Sequence, residues 1–440
     1  MLNGVALWVH RLGTKKIRAK FRRLDHLVAK MVTKAFPSAS VDLVLAMAGV
    51  KPFEILAQER AVAAHLHTNL AAHLAFKPEE YRRARLPHRL EFVHGLLEEV
   101  LGDLPDHGGE FGFERKGTVQ DYLHPELRRR VRVTIAGTRE DPDTSEITDR
   151  GIEIFTDGSK DGEAVGAAYV MYEDGVLVDS GMTRLPGYSD IFQAETEGIC
   201  QAMQSMLRRG KSTGKLFSDS QSVLQATGSA RPSAHVDMVN TLAFALGGRV
   251  ELHWVPGHVG IGGNEAADRL AKEAARATTV TATHIKVPRA YTRGATRRWG
   301  MTKWNEQWAE CREGLSQSTG WVQGLFGGSI EEDFRELWKV RRWTQGAASV
   351  YTGHNLLGYH QSKVRGGGGF RLCECGASGE TTEHYLFDCG KWCKQRMQSM
   401  GYRRLQDRAE GFRLVREHPD AVAAFVSSTG RLKWTGRKRR

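Results

Sequence analysis

The stretch GIEIFTDGSK, residues 151–160, contains an apolar run that ends near a carboxylate. Ile152 to Phe155 have the composition of a buried strand, and Asp157 follows shortly after them, next to Gly158. One interpretation is a hairpin turn, because Asp-Gly is a common turn pair. The other is a buried functional acid, and this requires further carboxylates elsewhere in the chain that meet Asp157 in the fold.

The segment 151–277 alternates short strands with helices. The predicted elements are, in order, the strands IEIF, AAYVMYED and VLVDSGMTR, a helix over 189–209, the strand KLFSDS, a helix over 235–246, the strand RVELHWV and a helix over 264–277. The order β-β-β-α-β-α-β-α predicts an α/β fold with a mixed five-stranded sheet. Because strand–helix–strand steps normally form parallel crossovers, we expect the strand ending at Asp219 to lie beside the one ending at Asp157.

Three further acids are placed where they can meet Asp157. Glu195 lies on the apolar stripe of the helix over 189–209, Asp219 ends a strand, and Asp268 falls in the first turn of the last predicted helix. A buried carboxylate is costly unless it is paired or bound to a cation. Since oxygen ligands suit Mg²⁺ or Mn²⁺, four converging acids predict a site for these ions. Two such ions can activate water and stabilise the leaving oxygen of a phosphodiester.

The motifs of this segment resemble those of a type I ribonuclease H. The matching pieces are FTDGS (155–159), QAE (193–195), SDSQ (218–221) and WVPGHVGIGGNEAAD (254–268). The resemblance implies a ribonuclease H-like fold and five catalytic residues, namely Asp157, Glu195, Asp219 and Asp268 as ligands of two Mg²⁺ ions and His258 as a mobile histidine that assists proton transfer or product release. It further implies substrate-binding positions at Gly158, Ser159 and Asn264.

The expected activity is hydrolysis of the RNA strand of RNA–DNA hybrids by two-metal-ion catalysis. Such a fold distinguishes RNA through its 2′-hydroxyls and A-like shape. The alternative is a catalytically inactive nucleic-acid-binding remnant, held on RNA by its basic flanks and by zinc. All four acids and the histidine are present, and this favours the enzyme.

The net charge of +12 is unevenly distributed. Residues 1–35 carry nine Lys or Arg and one acid, a balance of +8, whereas residues 152–277 carry 11 basic and 16 acidic residues, a balance of −5. Basic flanks around an acidic centre favour RNA or DNA as the partner of the flanks. The alternative interpretation is an ordinary solvated surface.

Four of the six cysteines lie within the 21 residues from Cys373 to Cys393. The spacing Cys373-x-Cys375-x8-His384-x4-Cys389 predicts a tetrahedral Zn²⁺ site, with Cys393 as a substitute ligand. The segment EHYLFDC, residues 383–389, predicts a short helix that places His384 and Cys389 about one turn apart. Free buried thiols are the alternative.

The flanks carry a second resemblance. SVDLVLAMAGVKPFEILAQERA (40–61) resembles the region after a reverse-transcriptase core, and YTGHNLLGYH (351–360) with EHYLFDC resembles the C-terminal end of LINE-like (non-LTR) retrotransposon polyproteins. The chain is therefore expected to be a C-terminal part of such a polyprotein. It contains no Phe/Tyr-x-Asp-Asp polymerase motif, so we do not expect it to copy nucleic acid.

The expected organisation has five parts. They are a basic helical segment over 1–85, a linker over 86–150, the ribonuclease H domain over 151–278, a helical Arg/Trp-rich region over 279–365, and a CCHC zinc module with a basic tail over 366–440. The tryptophans between 299 and 343 suit either helix core or stacking on bases, and their spacing favours core. The sequence contains no run of 18 apolar residues and no convincing signal peptide, which predicts an intracellular protein without a membrane partner. It makes no prediction of the oligomeric state.

Overall fold

The computed structural model of the protein falls into two compact units. It describes residues 8–66, 92, 95–96, 99–100, 131–138, 144–229, 234–279, 281–282, 284–315, 320–364 and 371–433. Val62–Thr296 forms one unit, here called the sheet unit, and Met1–Ala61 with Arg297–Arg440 forms the other, here called the helical unit. The five-part division stays a prediction, since 67–85, most of the predicted linker 86–150 and the basic tail at 437–440 lie outside the described residues.

The sheet unit is built on a six-stranded mixed sheet. Its strands are β1 (Arg132–Thr134), β2 (Ile152–Asp161), β3 (Ala164–Glu173), β4 (Val176–Leu185), β5 (Gly214–Ser218) and β6 (Val250–Trp254). The spatial order is β1-β6-β5-β2-β3-β4, with an antiparallel meander β2-β3-β4 and parallel pairing elsewhere. The prediction of five strands was wrong by one, because β1 lies inside the predicted linker and pairs with β6.

The helices account for most of the remaining described residues. In chain order they are α1 (Lys15–Thr33), α2 (Val41–Ala48), α3 (Phe53–Leu66), α4 (Ile191–Arg208), α5 (Gln221–Gly228), α6 (Ala234–Ala245), α7 (Gly262–Arg276), α8 (Arg289–Leu315), α9 (Gly320–Leu325), α10 (Ile330–Phe334), α11 (Gln345–Thr352), α12 (Gly358–Val364), α13 (Cys393–Met400), α14 (Arg408–Glu417) and α15 (Pro419–Thr429). Between β5 and β6 the chain forms two helices, α5 and α6, where the sequence predicted one.

Neighbouring residues of β2 face two different helix layers. Ile154 belongs to the apolar cluster that includes Ile199 of α4, whereas Phe155 belongs to the cluster that includes Ala267 of α7. This alternation follows from the pleat of a strand, which points successive side chains to opposite faces. The sheet therefore carries α4 on one face and α7 on the other, and β2 runs between them.

The helical unit has its own apolar core, and tryptophans contribute to it. Trp304, Trp308, Trp321 and Trp343 are all buried in this core. The burial of these four agrees with the core interpretation, whereas Trp338 is 37% exposed. None of the helices in the described ranges is long and apolar enough to cross a membrane.

Candidate active site

Two of the predicted acids meet because their strands are neighbours. β2 and β5 pair in parallel, with Thr156 opposite Ser218. Asp157 is the next residue of β2 and Asp219 directly follows the last residue of β5, so the pairing register places them side by side at the carboxyl end of β5. The predicted strand end at Asp157 was wrong, because β2 continues to Asp161 and stays paired with β3. The expectation that these strands are adjacent is confirmed.

Glu195 reaches the same place from α4, and Gly158 makes its approach possible. A β-carbon at Gly158 would lie 2.6 Å from the main-chain nitrogen of Glu195 and 2.9 Å from the carbonyl carbon of Ala194. Only glycine leaves room for the helix at this distance from β2. The substrate-binding role of Gly158 stays a prediction. Its close packing against α4 is by itself a reason for a glycine at this position.

The carboxylates of Asp157, Glu195 and Asp219 form one cluster. Each offers an oxygen within 4.8 Å of the other two, and Asp157 and Glu195 are buried. Asp268, the predicted fourth ligand, lies outside this group and forms an ion pair of 2.8 Å with Lys272, the residue one turn later in α7. Since α7 begins at Gly262, Asp268 lies in its second turn, and the placement in the first turn was wrong.

Burial and mutual repulsion disfavour the simultaneous ionisation of the three carboxyl groups. Burial, with the charges of Asp219 and Asp268, raises the pKa of Asp157 to about 8. The pKa of Glu195 is raised well above its usual value, first by burial and then by the charges of Asp157 and Asp219. Burial likewise raises the pKa of Asp219. Three carboxyls that share one buried place ionise together only when a cation compensates their charge.

The donor set fits a hard divalent cation. All the converging atoms are carboxylate oxygens, which Mg²⁺ and Mn²⁺ prefer. Oε2 of Glu195 is buried and accepts no hydrogen bond from the described part of the chain. An unsatisfied buried carboxylate oxygen is expensive, and coordination to a cation would satisfy it.

Asn264 and Trp254 support Asp219. Asn264 is 2% exposed, and its side chain hydrogen-bonds to the Asp219 carboxylate, which lowers the pKa of Asp219 against the effect of burial. Nε1 of Trp254 donates to the main-chain oxygen of Asp219 at 3.1 Å. The first contact holds the Asp219 carboxylate, and the second holds its main chain. Sequence reasoning placed Asn264 near the hybrid, a role that stays a prediction, and it gave Trp254, the first residue of the same motif, no role of its own.

His258 and Ser159 are both less buried than Asp157 and Glu195. His258 is exposed in the loop between β6 and α7, where its backbone has a left-handed φ of 61°. Its charge acts on Asp219 and lowers the pKa of that carboxyl. Ser159 is half-buried on β2, two residues after Asp157.

A second cluster lies in the helical unit. Cys373, Cys375, His384 and Cys389 each offer a ligand atom, and these atoms lie within 4.8 Å of one another. The Sγ atoms of Cys373 and Cys389 are 3.6 Å apart, and Sγ of Cys375 is 3.2 Å from Nε2 of His384. Cys393, the predicted substitute ligand, is not part of this group. Three sulfurs and one imidazole nitrogen at these distances suit tetrahedral Zn²⁺.

The local backbone explains how these four residues meet. Cys373 and Cys375 lie in a tight turn, in which the Cys373 amide donates to the Ser378 oxygen at 2.8 Å. His384–Asp388 forms a π-helix, and the Cys389 amide donates to the His384 oxygen at 2.8 Å. The short helix predicted over 383–389 is thus present as a single π-helical turn. Its i→i+5 hydrogen bond brings His384 and Cys389 to the same side.

Residues 149–276 match the family model described as RNase H. These residues form an RNase H domain. The match includes the strands and helices from β2 to α7 and all five residues predicted to be catalytic. The protein is therefore a hydrolase of the ribonuclease H type. The Cys/His cluster and β1 lie outside the matched residues.

Several solved structures are similar to the RNase H domain. RNase H1 from the halophilic archaeon Halobacterium salinarum NRC-1 is 26% identical, with 28% of this chain and 96% of that chain covered and a TM-score of 0.24. The N-terminal RNase H domain of Rv2228c from Mycobacterium tuberculosis, solved as a fusion with maltose-binding protein, is 20% identical, with 28% and 98% covered and a TM-score of 0.25. LC11-RNase H1, solved in complex with RNA/DNA hybrid, is 17% identical, with 28% and 95% covered and a TM-score of 0.25.

Proposed function

We propose that the protein is an endoribonuclease that hydrolyses the RNA strand of RNA–DNA hybrids with two Mg²⁺ ions, or Mn²⁺ in their place. The observation that carries the proposal is the buried carboxylate cluster of Asp157, Glu195 and Asp219 within an RNase H domain. The raised pKa values of these groups and the unsatisfied Oε2 of Glu195 support a requirement for divalent cations.

In this proposal each residue of the site has a distinct task. Asp157, Glu195 and Asp219 hold the metal ions, and Asp268 exchanges its ion pair with Lys272 for a metal contact. The bound ions would activate water and stabilise the leaving oxygen of the phosphodiester. His258, exposed beside Asp219, moves a proton to or from the departing group or helps the product leave. Asn264 keeps the Asp219 carboxylate in place.

The charge distribution supports a role of the flanks in holding the substrate. The acidic balance of 152–277 is unfavourable for a polyanion, whereas 1–35 is strongly basic. We propose that the flanks contribute RNA or DNA binding, and that the Cys/His cluster holds Zn²⁺ as a structural ion. The resemblances of 40–61 and 351–360 support an origin in a LINE-like retrotransposon polyprotein, in which the activity would remove template RNA after reverse transcription.

The test is cleavage of an end-labelled RNA–DNA hybrid by the full chain in Mg²⁺, with Asp157→Asn as the matched control. Wild-type cleavage that is lost in Asp157→Asn, with hybrid binding retained by both proteins, would support the enzyme. Binding without cleavage by folded wild-type protein in Mg²⁺ or Mn²⁺ would contradict it and leave the non-catalytic nucleic-acid-binding alternative.

The zinc proposal has its own measurement. The purified full chain should contain about one equivalent of Zn²⁺ by elemental analysis, as four ligands of this type suggest. Cys389→Ser should lose the ion, whereas Cys200→Ser should keep it because Cys200 is not one of the clustered ligands. Equal zinc content in both variants would contradict the assignment.

A further inference from the structure

Arg396 is fully buried, although it carries a charge. It lies on α13, has 0% exposure and is among the largest fully buried side chains in the protein. A buried charge of this kind persists only when hydrogen bonds and a nearby negative charge compensate it.

In the described part of the chain, the guanidinium donates hydrogen bonds only to main-chain oxygens. Two of these oxygens belong to the turn that carries His384 and Cys389. Nη2 donates to the Cys389 oxygen at 2.7 Å, and Nη1 donates to the Tyr385 oxygen at 3.2 Å. Nε and Nη2 also donate to the Arg403 oxygen, at 3.0 and 2.9 Å. The Arg396 side chain thus links α13 and the segment that follows it to the turn between His384 and Cys389. It contacts this turn near both of its ends.

These contacts satisfy the hydrogen bonds of the guanidinium but leave its charge without a carboxylate. No acid lies within ion-pair distance of Arg396 among the described residues, and the nearby Asp388 is engaged by Arg408 at 3.0 Å. The bond of 2.7 Å to the Cys389 oxygen places the guanidinium directly against the cysteine cluster. A divalent ion bound by three thiolates and one neutral imidazole has a net charge of −1, the charge that would balance one guanidinium.

We propose that Arg396 is a positioning and charge-compensating residue for the metal site formed by Cys373, Cys375, His384 and Cys389. It holds the carbonyl groups of Tyr385 and Cys389, which fixes the turn that carries two of the ligands. It also offsets the negative charge of the loaded site from the protein interior. The inference rests on the proposed zinc site, and outer-sphere groups of this kind typically change metal affinity by about 10–100-fold.

Lys391 provides a matched control. It is a cation close enough to act on the Cys373 and Cys389 thiols, but it is exposed and forms an ion pair with Glu374. Lys391→Met therefore removes the same unit of charge from the neighbourhood of the site without touching the buried hydrogen bonds. A general electrostatic effect would change metal affinity in both variants, whereas a specific role of Arg396 would change it only in Arg396→Met.

The experiment is titration of the metal-free full chain with Co²⁺, followed by the thiolate-to-cobalt absorption bands and by competition with a chelator of known affinity. Arg396→Met should bind Co²⁺ about 10–100-fold more weakly than wild type, and Arg396→Lys should be intermediate because it keeps the charge but loses the forked contacts. Lys391→Met should retain wild-type affinity. Circular dichroism establishes that each variant is folded.

The possible results separate this inference from the zinc proposal. Wild type that binds no Co²⁺ would overturn both. Wild-type binding with Arg396→Met at the same affinity, or with Lys391→Met weakened equally, would overturn the role of Arg396 and leave the zinc site standing. If Arg396→Met does not fold, Arg396→Lys decides, since an affinity equal to that of wild type would overturn the inference and a weaker one would support it.

Discussion

Replacing Gly257 with alanine should disable the acid cluster and leave the fold intact. A β-carbon at this position would lie 2.4 Å from Oδ2 of Asp219 and 3.3 Å from its Cγ. The backbone of Gly257 does not have a positive φ, so alanine introduces this contact without conformational strain. The substitution therefore acts on one atom of one carboxylate.

The size of the effect follows from the geometry. Ordinary van der Waals contact begins at 3.4 Å, so the carboxylate must retreat by about 1 Å, the difference between 3.4 and 2.4 Å. The Asp219 side chain can turn about its own bonds, at a cost of about 1 kcal/mol. A displacement of about 1 Å from the productive geometry is enough to reduce the reaction rate by about 100-fold. Activity should thus fall steeply while stability changes little.

The assay is kcat/KM for cleavage of a labelled hybrid in saturating Mg²⁺, together with thermal unfolding of the same preparations. Gly262→Ala is the control, because a β-carbon there meets no atom within 4 Å, and it should match wild type in both measurements. Wild-type cleavage by Gly257→Ala would refute the assigned position of Asp219. A large loss of thermal stability would refute the argument that the side chain alone moves.

Three further substitutions test other parts of the structure. Gly158→Ala should lower the free energy of unfolding by about 1–3 kcal/mol and also reduce activity. Its methyl group would clash with the main chain of Glu195, which cannot move as a side chain can. Unchanged denaturant unfolding of the sheet unit would contradict this. Burial raises the pKa of Asp25 from 3.8 to about 6, so folding favours its protonated form. The stability of wild type relative to Asp25→Asn should therefore fall as the pH rises from about 4 to about 6, and parallel stability curves would contradict it. Arg431→Met should destabilise the helical unit by about 2 kcal/mol, because the Glu380 carboxylate loses two hydrogen bonds of 2.6 Å; the exposed Arg413→Met is its control.

Tryptophan fluorescence reports the last two experiments directly. Every tryptophan except Trp254 belongs to the residues of the helical unit, so urea unfolding measured by fluorescence follows that unit. If Arg413→Met lost as much stability as Arg431→Met, the pair of Arg431 with Glu380 would have no special role. Among the described residues, Arg413 pairs only with Glu417 in an exposed contact, for which about 0.5 kcal/mol is expected.

The acid cluster was predictable because each of its residues interrupts an apolar pattern. Asp157 follows the apolar run Ile152 to Phe155, Asp219 directly follows β5, and Glu195 lies on the apolar face of α4, so a carboxylate at each position contradicts the surrounding apolar pattern. The parallel pairing of β2 and β5 then followed from the crossover rule. Local pattern and topology agreed, and together they located the site.

The features that escaped prediction have no such signal. β1 is three residues long, too short for an alternating pattern to stand out from its polar surroundings. Gly158 allowed a turn interpretation and Gly257 carried no prediction, because the sequence does not show the close approach to a helix or a carboxylate that makes glycine necessary. Arg396 lies in a basic stretch that resembles a solvated surface, and only the fold shows that its guanidinium is enclosed by carbonyl groups.

The position of β1 decides where the RNase H domain can be cut from the chain. The family match begins at residue 149, after β1. A fragment starting there would leave the outer side of β6 with unpaired amide and carbonyl groups, and would lose the bond of 3.1 Å from the Val131 amide to Oδ1 of Asn240. Exposed strand edges invite pairing with other molecules, so such a fragment should self-associate. A fragment that starts before Val131 keeps β1 as a short, charged edge strand and should remain monodisperse.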